Sequence, residues 1–417
     1  MTRFNLAYGE ATVSIDVPKR HLGGVLDGRA MPSVSLRQAF HDAWTHPIGV
    51  GDPAAMFKPG EKLVVVVTDH TRATPTRELF PLLWERIRGT IAQEDVSLLI
   101  ATGTHRAPTE EELDVILGEV RHEFSVLIHD CDRNTVEIGT SKHGTAIEIH
   151  RALVEADRIV SMGHIGMHYY AGYSGGRKNI LPGVAGRATI EANHAQMMDP
   201  RSTACAYGGN PISEEMVEAA QMVGLDLIVD VVFARDGSVG RIVVGEPEAA
   251  HAVGRAVWDE HFKVPFGEPA DVVIASAGGH PKDINLYQAY KAQYNAMRTL
   301  RDGGILLLIA ACTNGIGNAV FEEWIERTES PKDVFEIFAG EGFRLGGHKA
   351  VYHVEDVSRA AIHLWSELDH ATVRRFYMEP AAGVETVLTA AQKRFGDKYR
   401  VLVLPHATET CPIFGET

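Results

Sequence analysis

Runs of apolar residues alternate with amphipathic stretches along most of the chain. Leu63–Val67 is an unbroken Val-rich run, typical of a strand covered on both faces. Thr74-Pro75 then opens a helix, with Thr as N-cap and Pro at the first helical position. Val96–Ala101 is the next strand, and Thr109-Glu110-Glu111-Glu112 fits a capping box ahead of a helix ending near Gly118. Val126–Ile128 and Arg158–Val160 read as further buried strands. Upstream, Phe4–Ala7 and Ala11–Val17 flank a tight turn at Tyr8-Gly9-Glu10. After Gly186 the pattern predicts helices at Ala188–Met198 and Ser213–Val223. A hairpin follows, with Leu225–Phe233 and Val239–Val244 about Asp236-Gly237, then helix Glu248–Phe262. The pattern restarts with strand Asp271–Ser276, helix Asn285–Leu300 and strand Ile305–Ala310. Helices at Pro331–Phe338 and Val357–Leu368, a last helix Val384–Phe395 and strand Arg400–Leu404 complete it. Such alternation predicts an α/β fold with mostly parallel sheets flanked by helices. A domain boundary is expected at Pro265-Phe266-Gly267-Glu268-Pro269.

Composition narrows the function classes. The length of 417 residues suits two or three domains at roughly 150 residues each. With 45% hydrophobic and 23% charged residues, a largely disordered or fibrous chain is excluded. Forty basic against 55 acidic side chains leave a formal charge of −15, which argues against a nucleic-acid or anionic-membrane partner. The longest apolar run, Ile305 to Cys312, is too short to span a bilayer, and the first residues lack an export pattern. Four scattered cysteines without a CxxC pair point to a reducing cytoplasm rather than a disulfide frame. The 20 histidines stand out, because several sit beside glycines instead of on helix faces.

In open parallel sheets ligands bind at the carboxyl ends of strands. Four polar segments fall at such ends. They are Thr68-Asp69-His70-Thr71-Arg72, Thr102-Gly103-Thr104-His105-Arg106, Gly163-His164-Ile165-Gly166-Met167-His168 and Ala277-Gly278-Gly279-His280-Pro281-Lys282-Asp283. Each alone fits ordinary turn chemistry; together they gather His, Arg and Asp on one edge. Ser174-Gly175-Gly176-Arg177-Lys178 can expose successive backbone N–H groups beside two cations, which suits a phosphate or carboxylate. It is neither a P-loop nor a dinucleotide fingerprint, and a surface turn with two solvated basic residues fits it locally at least as well. His164, His168 and His194 admit a zinc-hydrolase triad. Gly163 and Gly166 argue against a helix there, and no Glu lies between the first two histidines. Gln288 and Lys291 share a face near a helix start, an amide and an ammonium suited to a carboxylate.

Taken together and in order, several segments resemble the nickel-dependent lactate racemase family. They are Asp69-His70-Thr71-Arg72, Ala101-Thr102-Gly103-Thr104-His105-Arg106, Ser174-Gly175-Gly176-Arg177-Lys178 with Leu181-Pro182-Gly183, Asn193-His194, Leu286-Tyr287-Gln288-Ala289 and Leu345-Gly346-Gly347-His348-Lys349-Ala350. The likeness covers most of the chain. Its specific part is the glycine–lysine block with a histidine ten residues before Lys178 and another sixteen after it. The resemblance implies an isomerase, a racemase or epimerase of a lactate-like or larger 2-hydroxy acid. It would work by reversible hydride transfer to a nickel-pincer nucleotide, a pyridinium bis-thio mononucleotide linked to Lys178. His194 would ligate nickel, and Asp69, Ser174, Gly175 and Gly176 would help bind the cofactor. His105 and His168 would be acid and base; Arg72, Tyr287, Gln288 and Lys291 would contact substrate.

These residue types suit that chemistry. Imidazole suits nickel, and a square-planar site needs few protein ligands where the cofactor supplies the rest. Two groups titrating near neutrality suit proton traffic in both directions. The implied fold has two domains with the active site in the interdomain cleft. A cofactor-binding domain would cover 1–264, joined by 386–417, and a substrate-closing domain 270–385. The implied partners are a small 2-hydroxy acid and, upstream, cofactor-synthesis proteins; an oligomer is compatible with the sequence. Two rivals remain open: a zinc hydrolase using His164, His168 and His194, and a non-catalytic carboxylate- or phosphate-binding protein. The motifs speak to the reaction class and leave the substrate's side chain open.

Overall fold

The computed structural model describes residues 1–415, which divide into two compact units. One is Ala30–His261; the other joins Met1–Arg29 to the chain from Phe262 onward. The first is built on six strands in the order Val239–Gly245, Leu227–Phe233, Arg158–Ile165, Leu63–Thr68, Val96–Ala101, Ser125–Ile128. Only the Val239–Gly245 hairpin partner runs antiparallel. Leu63–Thr68 is buried at every position, as an unbroken apolar run requires of a central parallel strand. Its Val65 and Val67 join Leu98, Ile100, Val160 and Met162 in a core closed by Phe80, Leu83, Leu113 and Ile116 from two helices. The chain lays strands outward from Leu63–Thr68 to Ser125–Ile128, then returns to its other side with Arg158–Ile165. That reversal is a topological switch point, and ligands in such sheets sit outside the carboxyl ends of the strands flanking it.

The helix after the central strand is Thr76–Ile87, with Pro75 in the capping position expected of Thr74. Thr74 is engaged elsewhere, its Oγ1 lying 3.0 Å from His164 Nδ1. The Thr109 capping box is present in full. An antiparallel pair, Thr135–Thr140 with Ala146–His150, was not expected, because its strands are short and half polar.

The main sheet of the other unit has six strands, all parallel, ordered Glu379–Pro380, Ala361–Trp365, Leu300–Ile309, Ala270–Ser276, Val401–Leu404, Leu22–Val25. Three sequence expectations are corrected here. The first 29 residues belong with this unit, not with 30–264. The Thr2–Tyr8 and Ala11–Val17 hairpin buries Leu6, Ile15 and Val17 against Val272, Ile274 and Leu307, and Leu22–Val25 extends the sheet. The last helix and strand do not join the first unit: Val401–Leu404 pairs with Ala270–Ser276, and Val384 and Val387 pack on the same sheet. Finally, the helix expected at Val357–Leu368 is a helix, Gly347–Arg359, followed by the strand Ala361–Trp365. The short apolar run is claimed by pairing with Leu300–Ile309, a tertiary choice that periodicity cannot show. Cys131 and Cys312 are buried free thiols. No helix among the described residues is long and apolar enough to cross a membrane.

Candidate active site

The central strand delivers Asp69 at its carboxyl end, buried. A buried carboxylate persists only if it is well hydrogen-bonded. Asp69 Oδ2 accepts from His105 Nδ1 at 2.7 Å, while Oδ1 accepts from the Thr71 hydroxyl at 2.6 Å and the Thr71 N–H at 3.2 Å. Burial pushes this carboxyl up. The hydrogen bonds from His105 and Thr71 and the charges of His105 and Arg72 outweigh it, so the group stays below its ordinary range. An ionised Asp69 settles the His105 tautomer: Nδ1 carries the proton, and the neutral ring keeps its lone pair at Nε2. His105 is thus set up as a base. Its loop is tied down by the Gly103 N–H, which donates to the Gly183 carbonyl at 2.9 Å.

Lys178, half-buried, feels the same residues. Its pKa is pushed down to about 7, chiefly by burial, then by the positive charges of Arg72 and Arg177, with Asp69 opposing. An amine at that value is substantially unprotonated near neutrality and nucleophilic. Arg72 is exposed, and its N–H donates to the Asp69 carbonyl at 3.1 Å. Asp69, Arg72, His105 and Lys178 therefore gather at one sheet edge, beside the switch point.

The segment after Arg158–Ile165 supplies the other candidates. His168 Nδ1 accepts the Ala171 N–H at 3.3 Å, so the neutral ring holds its proton at Nε2, the reverse of His105. The Tyr170 ring meets His168 edge-on at 4.5 Å between centroids and His194 at 5.2 Å. His194 is buried on the helix Arg187–Ala195, its Nδ1 3.1 Å from Asn193 Oδ1.

The Ser174-Gly175-Gly176 turn does not present a row of open amides, which corrects that expectation. The Ser174 N–H donates to the Gly166 carbonyl at 2.9 Å and the Gly176 N–H to Asp230 Oδ2 at 2.7 Å. Gly175 has φ +81, and a Cβ there would lie 2.6 Å from Asp230 Oδ2. The glycines let the turn close on Asp230 and so hold the loop that carries Lys178. Arg177 is not solvated either, being only 1% exposed. It donates to Ser213 Oγ at 2.9 Å and stands 3.0 Å from His251 Nε2, over the Tyr207 ring. Burial draws its pKa down, and burial pushes Asp230 up to about 7. Arg177, Asp230 and His251 were missed as a group because they lie far apart in sequence.

His164, His168 and His194 do not form a zinc triad. Among the described residues, the grouping with three ligand atoms within 4.8 Å is Asp130, Cys131 and Asp132. There Asp132 is already held by Arg187 at 2.6 and 2.7 Å. Glycines at 163 and 166 leave a strand and turn in place of the helix that would align two of the histidines.

Tyr287, Gln288 and Lys291 lie in the other unit, in the first turns of the helix Leu286–Met297. Asn285 caps it, accepting the Gln288 N–H at 2.9 Å; Gln288 is half-buried and Lys291 exposed. Lys349 was missed as a support here. It is buried, donates from Nζ to the Tyr287 carbonyl and lies 3.7 Å from the Tyr287 ring centroid. The Gly346-Gly347-His348-Lys349 block was the available signal, but its partner is 62 residues away.

Comparison with known proteins supplies the context. A family model described as the lactate racemase N-terminal domain matches residues 8–205, and one described as the lactate racemase C-terminal domain matches 267–410. The chain is 31% identical over 419 residues to a lactate racemase of Thermoanaerobacterium thermosaccharolyticum, covering 97% of this chain and 98% of that one. It is 30% identical over 431 residues to a lactate racemase of Lactiplantibacillus plantarum, with the same coverage. The solved lactate racemase apoprotein from T. thermosaccharolyticum superposes with a TM-score of 0.92 at 30% identity, covering all of both chains. A Thermotoga maritima protein of known structure shares the fold alone, with a TM-score of 0.64 at 17% identity over 92% of this chain and all of that one.

Proposed function

The chain belongs to the lactate racemase family and is an isomerase, and from that premise we propose that it racemises or epimerises a small 2-hydroxy acid, lactate or a larger relative, on a lysine-linked nickel-pincer nucleotide. The observation that carries the reading is the pair of histidines with opposite protonation at Nε2, His105 and His168, in the unit that also holds the amine of Lys178.

The residues fit such a cofactor. A covalent link through a lysine needs a neutral amine, and Lys178 is held where neutrality costs little near pH 7. An imidazole that ligates through Nε2 usually donates its other N–H to a fixed acceptor, and His194 has one in Asn193 Oδ1. When bound, the nucleotide would supply the acceptor for the hydrogen on Cα. Ser174, Gly175 and Gly176 would serve it indirectly, by fixing the turn ahead of Lys178. Asp69 would serve through His105.

The chain's own residues then account for the proton traffic. Arg72 would hold the substrate carboxylate, a pairing that guanidinium geometry favours. His105 Nε2 takes the proton of the substrate hydroxyl, and Asp69 stabilises the imidazolium that forms. His168 Nε2–H returns a proton to the oxygen. After one turnover His105 is protonated and His168 is not, which is the state suited to the opposite enantiomer. Tyr287, Gln288 and Lys291 are assigned to substrate contact on the strength of the resemblance. The net charge of −15 favours a small-molecule partner over nucleic acid, and a cytoplasmic site of action follows from the same reading.

The test uses protein from a host that makes the cofactor. Intact-mass measurement should find a nucleotide-sized adduct on Lys178, and a panel of 2-hydroxy acids should reveal one that racemises. His105→Ala and His168→Ala should keep the adduct and lose racemisation. Tightly bound zinc on an unmodified chain would sink the proposal.

A further inference from the structure

His194 is oriented by a chain of hydrogen bonds that reaches well beyond its own helix. Asn193 Oδ1 faces His194 Nδ1 at 3.1 Å. The amide's other end is fixed twice, since Asn193 Nδ2 donates to the Ile212 carbonyl at 3.2 Å and to Glu215 Oε2 at 2.8 Å. Both partners only accept, so the amide cannot turn over without facing oxygen to oxygen. Glu215 lies on the helix Pro211–Val223 with no exposed surface. It accepts a second bond at Oε2 from Gln196 Nε2 at 2.9 Å. Its other oxygen accepts from the Ser141 hydroxyl at 2.6 Å. Ser141 Oγ in turn accepts the Thr145 N–H at 3.1 Å, which leaves the hydroxyl proton for Glu215. No Lys or Arg among the described residues pairs with this carboxylate. Burying a carboxylate without a cation is costly, and an apolar side chain would fill the space more cheaply. Something other than packing is the reason for it.

We propose that Glu215 is a positioning residue for His194: acting through Asn193, it keeps the proton on Nδ1 and the lone pair on Nε2, the form of imidazole able to ligate a metal. The inference deepens the nickel reading and rests on it for the identity of the metal. The tautomer itself belongs to the chain whether or not nickel is present. Glu215 and Asn193 touch neither substrate nor metal in this account; they set the direction of a lone pair, as the outer partners of metal-bound histidines do.

The experiment has two readouts. In the apo chain labelled with ¹⁵N-histidine, long-range proton–nitrogen correlation at pH 8 should show His194 protonated at Nδ1, the resonance being assigned by its loss in His194→Gln. In Glu215→Leu the Asn193 amide keeps only its 3.2 Å bond to the Ile212 carbonyl, so it is no longer fixed and the His194 proton should move from Nδ1 toward Nε2. The same variant, made in a host with the cofactor pathway, should keep the Lys178 adduct. It should retain about 10- to 100-fold less nickel against a chelator. Ser141→Ala removes a donor from the other carboxylate oxygen and should leave tautomer and nickel unchanged. The proposal is overturned if Glu215→Leu keeps the Nδ1 proton, or if Ser141→Ala loses it equally. Should Glu215→Leu fail to fold, wild type still decides, because an Nε2–H ring there refutes the relay. A wild-type Nδ1–H ring in a chain that never takes up nickel would uphold the relay and sink the nickel reading instead.

Discussion

His105 and His168 differ in what touches Nδ1, a carboxylate in one and a backbone N–H in the other. In the proposed reaction, that single difference would give two like side chains opposite jobs. Asp69→Asn should therefore be more damaging than its size implies, because the new amide can donate to Nδ1 and leave His105 without a base at Nε2. We expect kcat to fall by about 10²- to 10⁴-fold with little change in KM, measured by enantiomer-resolved turnover; an unchanged kcat would refute the pairing. Lys178 makes a second expectation. Since its amine is pushed down to about 7, a limiting acetylating reagent at pH 7.5 should label it ahead of other lysines in the apo chain, as read by peptide mass. The residue types at these positions were legible, because reactive groups clustered at strand ends. Asp69's bond to His105 was not, since the two are 36 residues apart and follow different strands.

Local motifs were legible wherever the signal was short-range. The Thr109 capping box, the Asp236-Gly237 hairpin and the central Val-rich strand all appear as expected. The glycine-rich loop was misjudged for a physical reason: its amides find partners that lie outside the loop. Gly175 shows this best. With φ +81 and Asp230 so near, Gly175→Ala should lower stability by about 1–3 kcal/mol in urea unfolding and slow acetylation of Lys178. A variant as stable as wild type would mean that the turn does not depend on Asp230. Gly347 is similar, since a Cβ there would meet the Trp324 ring at 2.7 Å. The glycine block that opens the Gly347–Arg359 helix is therefore at least partly a packing motif.

Buried imidazoles shape the response of the folded protein to acid. Burial pushes His129 down to about 4, His348 to about 3 and His353 to about 4. Unfolding returns each to about 6.5. Below that pH the unfolded chain binds protons that the folded chain refuses, so stability falls as pH drops from about 6.5 toward 4. Asp230 and Asp356, pushed up to about 7 by burial, act oppositely. Their contribution is greatest below about 4 and is lost as pH rises toward 7. His251, also held well below its ordinary value by burial, adds to the imidazole side. Imidazoles outnumber carboxylates in this window, so the urea midpoint should fall between pH 7 and pH 4.5. A midpoint that rises on acidification would show the carboxylates to dominate.

Alternating strands and helices, the reactive side chains at strand ends and the family were all readable from the order of residues, because each rests on local periodicity or on a short motif. Membership of the first 29 residues, the strand at Ala361–Trp365 and the burial of Arg177 were not, because each is settled by a surface supplied from elsewhere in the chain. The histidines mark the same divide. Sequence could nominate His105, His168 and His194, but the proton each carries depends on Asp69, the Ala171 N–H and Asn193, and only folding brings the right atom of each against Nδ1.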